Sequence, residues 1–447
     1  MSRTTFITLI VTIVLIVLGT IGYFIYKNTS ATKNNTKTVS YLPFGSTNNN
    51  TQNGNQGNSS QTNTSVSTST DNHQTQGPAT VQKQALILLS NQNIASATFI
   101  DAPIIQTIYA TNTKTGIVTQ KFIKATTTKI RYIEKPTGLI YDINPDGSGK
   151  TQITGTTIPR ISSAYFLENG SLVRLTYTSD TSSPDQAFLA TIPEKKLPDP
   201  KATTTEPDLP VDLVTKPIAN SGSNFSLSPD NKQLFSFIKN GVVFSGIIES
   251  KKLTSSKTIV TIPTNEWQTQ WFNPNKIAIT TKPSSGIMGT LFFLGTDGAL
   301  TPILKNVSDL SALVNPKGDS ILYGTDETGT YMLHVLVLGK NKTTTLSRKT
   351  IPDKCVWSQK NDLYCAIPQN LGSLPLPESW YRGFIVFTDT LVKINPNTDE
   401  SISLTSGQTT KGTYPLDISQ LKVSNDSSYI LFTNKRDGTL WLFNLNL

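Results

Sequence analysis

The sequence predicts an all-β protein: a seven-bladed β-propeller of four-stranded antiparallel blades, preceded by one transmembrane helix and a disordered linker. Three observations lead to this prediction. Only 15% of the 447 residues are charged, and Thr, Ser and Asn fill much of the remainder, which favours strands and turns over helices. One strand–turn–strand pattern recurs through residues 84–447. Ahead of it lie an uncharged apolar segment and a long polar run.

Residues 6–26 have the length and composition of a membrane-spanning helix. They contain no charged residue, and at about 1.5 Å per residue they cover the roughly 30 Å hydrocarbon core of a bilayer. A cleaved signal peptide is the alternative, but its apolar region is shorter, and Thr29-Ser30-Ala31 is a poor cleavage site. We therefore predict a cytoplasmic tail over residues 1–5 and an uncleaved anchor over residues 6–26.

Residues 27–83 predict a disordered polar linker. Apart from Tyr41–Phe44, this segment has almost no large apolar side chain. It therefore cannot bury enough surface to offset the entropy that ordering removes. We expect a flexible tether between the anchor and a β-propeller that spans residues 84–447.

The same pair of short apolar strands around a polar turn occurs six times. The pairs are AYFLENGSLVRLTY from Ala164, NFSLSPDNKQLFSF from Asn224, WFNPNKIAIT from Trp271, ALVNPKGDSILYG from Ala312, VWSQKNDLYCAI from Val356 and LKVSNDSSYILFT from Leu421. Each turn holds residues that accept left-handed geometry or preset a turn. A third strand often follows (GVVFSGII, GTLFFLGT, YMLHVLVL, TLWLFNL), and we expect a fourth ahead of each pair (KTIVTIP, LTPILKN, TTTLSRK, SISLTS).

These units give seven blades. The segments ALILLS, SATFI, KIRYIEK and GLIYDIN supply a first unit, so blades are expected to start near residues 85, 151, 211, 257, 300, 342 and 401. The middle starts are about 42 to 46 residues apart, which is the period of a propeller blade. Because the first and last units each contain four strand segments, we expect the ring to close without a strand exchange. A set of ordinary β-sandwiches is the alternative.

Several turn motifs resemble a known repeat family. LIYDINPDGSGKTQIT (139–154), FSLSPDNKQLFSF and FTNKRDGTLWLFNL are similar to portions of TolB-like propeller repeats, which belong to the WD-type class. The resemblance covers most of residues 85–447, although no turn is a full PDGK. It implies a propeller that makes protein contacts or serves as a scaffold in the cell envelope.

A second resemblance joins TTIPRI, CVWSQKNDLYCAIP and ESWYRGFIVFTDTLVKI with the anchor and the polar linker that precede them. This combination is similar to uncharacterised membrane-anchored propellers of candidate-phylum bacteria. No function is implied by those proteins.

The two cysteines, Cys355 and Cys365, flank five polar residues, Ser358 to Asp362. If these form a hairpin turn centred on Lys360, the two cysteines face each other across the second and third strands of blade six. Directly opposed residues lie close enough for a disulfide. Two buried free thiols are the alternative. A redox switch or a metal pair is a third possibility, but no histidine or further cysteine lies nearby in the sequence to complete a metal site.

The charges around the anchor leave its orientation open. Arg3 lies on one side and Lys27, Lys33 and Lys37 on the other, so a positive-inside count places the large domain in the cytoplasm. A disulfide would require an oxidising compartment instead. We predict a single-pass protein of the cytoplasmic (inner) membrane, with its C-terminal domain outside the cytoplasm.

The sequence shows no recognisable catalytic, metal or cofactor motif. His73 lies in the linker and His334 in an apolar strand, so a histidine-based triad or metal site is not expected. The net charge of +9 is scattered, which argues against nucleic acid. Carboxylates such as Asp142, Asp146, Asp230, Asp319 and Asp437 mostly lie in the predicted turns, where capping of the turn explains them better than catalysis does. A carboxylate-based envelope glycan hydrolase or lyase remains the alternative function, without an identifiable pair.

Three insertions are the candidate binding elements, since loops on rigid scaffolds commonly carry binding. Residues 103–124 predict a long hairpin that exposes Ile108 and Tyr109, and residues 193–212 are Pro-rich. Residues 368–387 bring Trp380, Tyr381 and Arg382 into a loop of blade six, and these residue types dominate interface energetics. The alternative is that these aromatics cap the core of the blade.

From these observations we expect a membrane-anchored binding or scaffold module of the cell envelope, with a protein or glycan partner. A purely structural stalked protein of a surface assembly is a further possibility. The sequence does not specify the oligomeric state.

Overall fold

The computed structural model describes residues 85–447, except 112, 114–115, 117, 179–185, 195–196, 198–208, 219–222, 251–253, 328 and 406–414. The predicted tail, anchor and linker at residues 1–83 lie outside the described part. Among the residues that are described, no helix has both the length and the apolar character needed to cross a membrane.

The described residues are mostly β-strands separated by short turns. In chain order the strands are β1 (Leu86–Ser90), β2 (Ile94–Thr111), β3 (Val118–Glu134), β4 (Ile140–Ile143), β5 (Thr151–Gln152), β6 (Ile161–Leu167), β7 (Leu172–Tyr177), β8 (Gln186–Thr191), β9 (Val214–Ile218), β10 (Ser223–Leu227), β11 (Gln233–Asn240), β12 (Val243–Ser250), β13 (Ser256–Ile262), β14 (Trp267–Asn273), β15 (Lys276–Thr281), β16 (Met288–Gly295), β17 (Leu300–Ser308), β18 (Ser311–Val314), β19 (Ser320–Glu327), β20 (Thr330–Val337), β21 (Lys342–Leu346), β22 (Cys355–Trp357), β23 (Leu363–Pro368), β24 (Asp389–Ile394), β25 (Ser401–Ser403), β26 (Ile418–Val423), β27 (Tyr429–Asn434) and β28 (Leu440–Asn444). One short helix, α1 (Glu378–Tyr381), lies between β23 and β24.

These strands form seven antiparallel sheets of four strands each, counted over the described residues. Blades one to six are successive meanders, which begin with β2, β6, β10, β14, β18 and β22. Blade seven contains β26, β27 and β28 with β1 as its fourth strand. The number of blades and their antiparallel four-stranded form are those that the sequence predicts.

The sheets close into a ring because each packs its apolar faces against two neighbours. Phe235 and Phe237 of blade three, for example, share a core with Trp271, Ile277 and Ile279 of blade four. Corresponding cores lie between blades one and two, two and three, four and five, five and six, and six and seven. The last core joins blade seven to blade one. Burial between radially arranged sheets is therefore what holds the propeller together.

The expectation that the ring closes without a strand exchange is wrong. The segment ALILLS forms β1, which pairs with β28 in blade seven, with Leu86 opposite Phe443 and Leu88 opposite Trp441. Blade one instead takes β5 as its fourth strand. The segment TLWLFNL forms β28, and without another strand its outer edge would be left unpaired. The strand β1 covers this edge.

The expected assignment of fourth strands is also wrong by one blade. KTIVTIP, LTPILKN, TTTLSRK and SISLTS form the outer strands of the preceding blades, where they pair with β12, β16, β20 and β24. A strand that follows a short turn pairs most readily with the strand just before it. The connection from an outer strand to the next blade must instead cross between two sheets.

The alternation of strand direction gives the ring two faces. The upper face, as defined here, carries the connections between blades and the loops that join second to third strands. The lower face carries the loops that join first to second and third to fourth strands. Ala85 lies on the lower face, where its carbonyl accepts a hydrogen bond from the Asn444 amide at 2.7 Å.

The closure by β1 predicts different effects for two adjacent leucines. Leu89 is 5% exposed within the core between blades seven and one, whereas Leu88 is 46% exposed. We expect Leu89→Ala to lower the free energy of unfolding by about 2–5 kcal/mol because it leaves a cavity. Leu88→Ala should lower it by less than about 1 kcal/mol. Urea unfolding followed by tryptophan fluorescence measures both, and equal small losses would contradict the pairing of β1 with β28.

Candidate binding site in the loop of blade six

The loop of residues 369–388 joins β23 to β24 on the upper face of blade six. It contains the one-turn helix α1, which follows Pro377. Proline presets the backbone angle needed at the start of a helix. The loop also carries its own small apolar cluster, in which Leu376, Trp380 and Phe387 pack with Tyr331 and Ile351.

Trp380 lies inside this loop and not on its surface. Its side chain is 5% exposed, and its indole Nε1 donates to the Asp417 carboxylate at 2.9 and 3.2 Å. The ammonium of Lys354 lies 4.7 Å from the centre of the ring. Trp380 therefore fits the alternative in which the aromatics cap the blade, and its ring does not face solvent.

Lys354 anchors the loop from below. Its fully buried ammonium pairs with Asp389 Oδ2 at 2.7 Å and Asp417 Oδ1 at 2.6 Å. It also donates to the Ile418 carbonyl oxygen at 2.8 Å, so all three of its N–H groups are used. Lys354, Asp389, Asp417 and Trp380 are called the Lys354 cluster below. Because Lys354 precedes β22, Asp389 begins β24 and Asp417 precedes β26, the cluster joins blades six and seven to the loop.

The two carboxylates of the cluster share one ammonium group as their cationic partner. Burial raises the pKa of Asp389 to about 6, although the Lys354 ammonium opposes this rise. Asp389 Oδ2 also accepts a hydrogen bond from the Ile418 amide at 2.6 Å. The Asp417 carboxylate additionally accepts from the Phe387 amide at 3.2 Å. The cluster is thus an enclosed network in which most polar atoms are hydrogen-bonded, although Asp389 Oδ1 has no hydrogen-bond partner.

Tyr381 and Glu378 extend the attachment of the loop to other blades. The Tyr381 hydroxyl donates to Asp353 Oδ2 at 2.6 Å, and burial raises the pKa of Tyr381 well above its usual range. Glu378 Oε2 accepts from the Ser285 amide at 3.3 Å and from the Ser284 hydroxyl at 3.4 Å. Residues 284 and 285 belong to blade four, so the loop of blade six reaches past blade five.

The residues of the loop that face solvent include Arg382 and several apolar side chains, together with the polar Gln369, Asn370 and Ser373. The Arg382 guanidinium lies 4.9 Å from the centre of the Phe384 ring, and Phe384 is 63% exposed. Leu374 and Val386 are also exposed. Of the three loop residues predicted as contacts, Arg382 is exposed, Tyr381 is half-buried and Trp380 is buried. Phe384 was not predicted as a contact residue, although the apolar run FIVF after Gly383 was a signal in the sequence.

Ile108 and Tyr109 lie elsewhere. The predicted hairpin is present, since β2 and β3 pair from Pro103 opposite Thr126 to Thr111 opposite Val118. Tyr109 is 70% exposed and Ile108 is half-buried. This hairpin projects from the lower face, so the structure does not bring these two residues together with the loop of blade six.

The cysteines are joined in a disulfide. Cys355 faces Cys365, Val356 faces Tyr364 and Trp357 faces Leu363, which is the predicted register, and the cysteine Cα atoms are 4.0 Å apart. The strands are the first and second of blade six, not the second and third. The bridge is buried in the core between blades five and six.

Other predicted features have structural roles. His334 stacks on Tyr323 with ring centres 5.1 Å apart, and its Nδ1 lies 3.1 Å from the Thr345 hydroxyl. Asp146 and Asp230 accept hydrogen bonds within their turns. No group of three or more potential metal ligands occurs among the residues that the structure describes.

A cavity on the upper face of blade two was not predicted from sequence. It has a volume of about 780 Å³, and its walls include Arg160, Tyr177, Gln186 and Phe188. These residues come from a connection between blades and from the facing ends of β7 and β8. No local pattern marks them, because the cavity forms only when the connection that contains Arg160 packs against the strands of blade two.

Comparison with known proteins gives fold-level similarities only. No protein-family model and no curated protein matches the chain. An oligogalacturonate lyase in complex with manganese is 11% identical, with a TM-score of 0.45 over 79% of this chain and 98% of that one. TolB from Acinetobacter baumannii is 10% identical, with a TM-score of 0.38 over 68% and 79%. The tricorn protease is 10% identical, with a TM-score of 0.44, and the match spans 77% of this chain but 37% of the protease.

Because Lys354 is the cation of a buried cluster, replacing it should lower the free energy of unfolding substantially. Lys354→Met leaves two buried carboxylates without the cation that both contact, so we expect the free energy of unfolding to fall by about 3–5 kcal/mol. The matched control is Lys393→Met, which removes a surface ion pair with Asp362 at 2.8 Å. This variant should change the free energy of unfolding by less than about 1 kcal/mol. Chemical denaturation measures both values. Similar small losses for the two variants would contradict the anchoring role of Lys354.

Proposed function

We propose that this chain is a membrane-anchored, extracytoplasmic binding or scaffold module of the cell envelope, whose partner is a protein or a glycan. The contact site proposed is the outer surface of the loop of blade six, namely Arg382 with the exposed Leu374, Phe384 and Val386. A protein partner suits this surface best, because it combines exposed apolar side chains with an arginine.

The observation that carries this proposal is the contrast between the two sides of the loop. Its inner side is fixed by the Lys354 cluster and by Glu378, which bonds to blade four. Its outer side presents Phe384 with the Arg382 guanidinium against the ring. A loop that is already ordered loses little conformational entropy when a partner binds, so more of the contact energy becomes affinity.

The proposed location rests on two further features. The disulfide between Cys355 and Cys365 favours an oxidising compartment. The apolar segment at residues 6–26 supplies an anchor to a membrane. Together they favour a propeller held outside the cytoplasm.

The alternative, an envelope glycan hydrolase or lyase, needs two carboxyl groups that face an open cleft. The carboxylates of Asp389 and Asp417 are fully buried and share the ammonium of Lys354. They therefore cannot reach a glycan. For this reason we favour binding over catalysis at the loop of blade six.

The contact site predicts the effect of a paired substitution. Arg382→Ala with Phe384→Ala should reduce recovery of a crosslinked partner from native membranes by about tenfold or more, because such residues dominate binding energy. The control is Val242→Ala, since Val242 is 92% exposed in the turn between β11 and β12 on the same face. Both variants should unfold at the wild-type denaturant concentration. Full recovery with the paired variant would place the contact site elsewhere.

The proposed location is tested by protease access. Protease added to intact spheroplasts should cut the linker and release the propeller, because both lie outside the cytoplasmic membrane. A chain that is cut only after the membrane is permeabilised would place the domain in the cytoplasm.

A further inference from the structure

The first two strands of blade one continue well beyond the sheet. β2 has 18 residues and β3 has 17, but β3 pairs with β4 only from Ile130 to Ile133. We call residues 102–111 and 118–127 the blade-one ribbon. At roughly 3.4 Å per residue, this two-stranded ribbon projects about 30 Å from the lower face.

The blade-one ribbon is basic. From residue 102 to residue 130 the sequence contains no acidic residue, and Lys121 and Lys124 lie on the ribbon itself. Both lysines are exposed, and Lys129 follows where the ribbon meets the blade. The ribbon therefore presents positive charge that no acidic residue within its own two segments compensates; the nearest acidic residue on β2 is Asp101, next to the base of the ribbon.

The ribbon also exposes apolar side chains on both sides. The alternation of strand residues places Ile105, Tyr109, Val118 and Phe122 on one side and Ile104, Ile108 and Ile123 on the other. Tyr109 is 70% exposed and Val118 is 58% exposed. Isolated two-stranded ribbons are at best marginally stable in water, so a surface that buries these side chains would stabilise the ribbon.

The chain enters the propeller on the same face. Ala85 lies on the lower face, and the residues that connect it to the apolar segment 6–26 form the polar linker. At up to about 3.3 Å per residue, a chain of this length can span much more than the height of the ribbon. Whatever surface holds the N-terminus is therefore within reach of the ribbon, which raises its effective concentration there.

We propose that the blade-one ribbon binds the surface of an anionic lipid bilayer. Lysines are attracted to the negative surface potential, and apolar and aromatic side chains enter the boundary between headgroups and acyl chains. A bilayer surface can enclose apolar side chains on both sides of a narrow ribbon, whereas an acidic protein would cover one side. The ribbon then holds the lower face against the membrane and directs the loop of blade six away from it.

The test uses the full chain reconstituted with vesicles of phosphatidylcholine or of an equal mixture of phosphatidylcholine and phosphatidylglycerol. An environment-sensitive fluorophore is attached through Tyr109→Cys, while Cys355 and Cys365 remain bridged. We expect a blue shift with phosphatidylglycerol that is absent with phosphatidylcholine and reversed by salt, which screens charge. The same fluorophore attached through Val242→Cys on the upper face should not respond.

Charge reversal provides the matched variant. Each lysine at a membrane surface contributes about fivefold in binding, so Lys121→Glu with Lys124→Glu should lower the bound-to-free ratio of the ribbon by about 25-fold or more. The control, Lys135→Glu with Lys239→Glu, changes the same charge at exposed positions of the upper face. A shift that is equal in both vesicles, or unaffected by the ribbon variant, overturns the proposal. So does a shift that appears only when a protein partner is added.

Discussion

The attachment of the loop of blade six depends most on the burial of one ammonium group between two carboxylates. Lys354 is fully enclosed, and its three hydrogen bonds reach blade six, blade seven and the chain between them. Burying such charges is unfavourable unless every donor and acceptor is matched. Once formed, the network resists the loss of a charged member, because the remaining buried charges would no longer be compensated by an opposite charge to the same extent. A surface loop thereby acquires the rigidity of the core beneath it.

The closure of the ring explains how the two faces come to differ. β1 supplies the outer strand of blade seven, so the N-terminal and C-terminal segments lie side by side. This arrangement also places Ala85, the first described residue, on the lower face, from which the ribbon projects. The anchored loop of blade six lies on the other face. The connectivity of a single strand therefore determines on which face the chain enters the propeller.

Features that depend on residues close together in the sequence were predicted, whereas features that depend on contacts between distant residues were not. Hairpin turns gave the number of blades, and the turn around Lys360 gave the register of Cys355 and Cys365. The position of β1 could not be found this way, because its partner β28 lies more than 300 residues away. Trp380 stood out as an aromatic residue in a Pro-rich loop. Its burial depends on Asp417, which is 37 residues further along the chain.

The most direct test of this account is the hydrogen exchange of the Trp380 indole N–H. If the Lys354 cluster holds the loop closed, this proton exchanges only through global unfolding, at a rate that follows the measured stability. Exchange near the rate of a free indole, while the strands of blade six remain protected, would show that the loop opens on its own. That result would contradict the account.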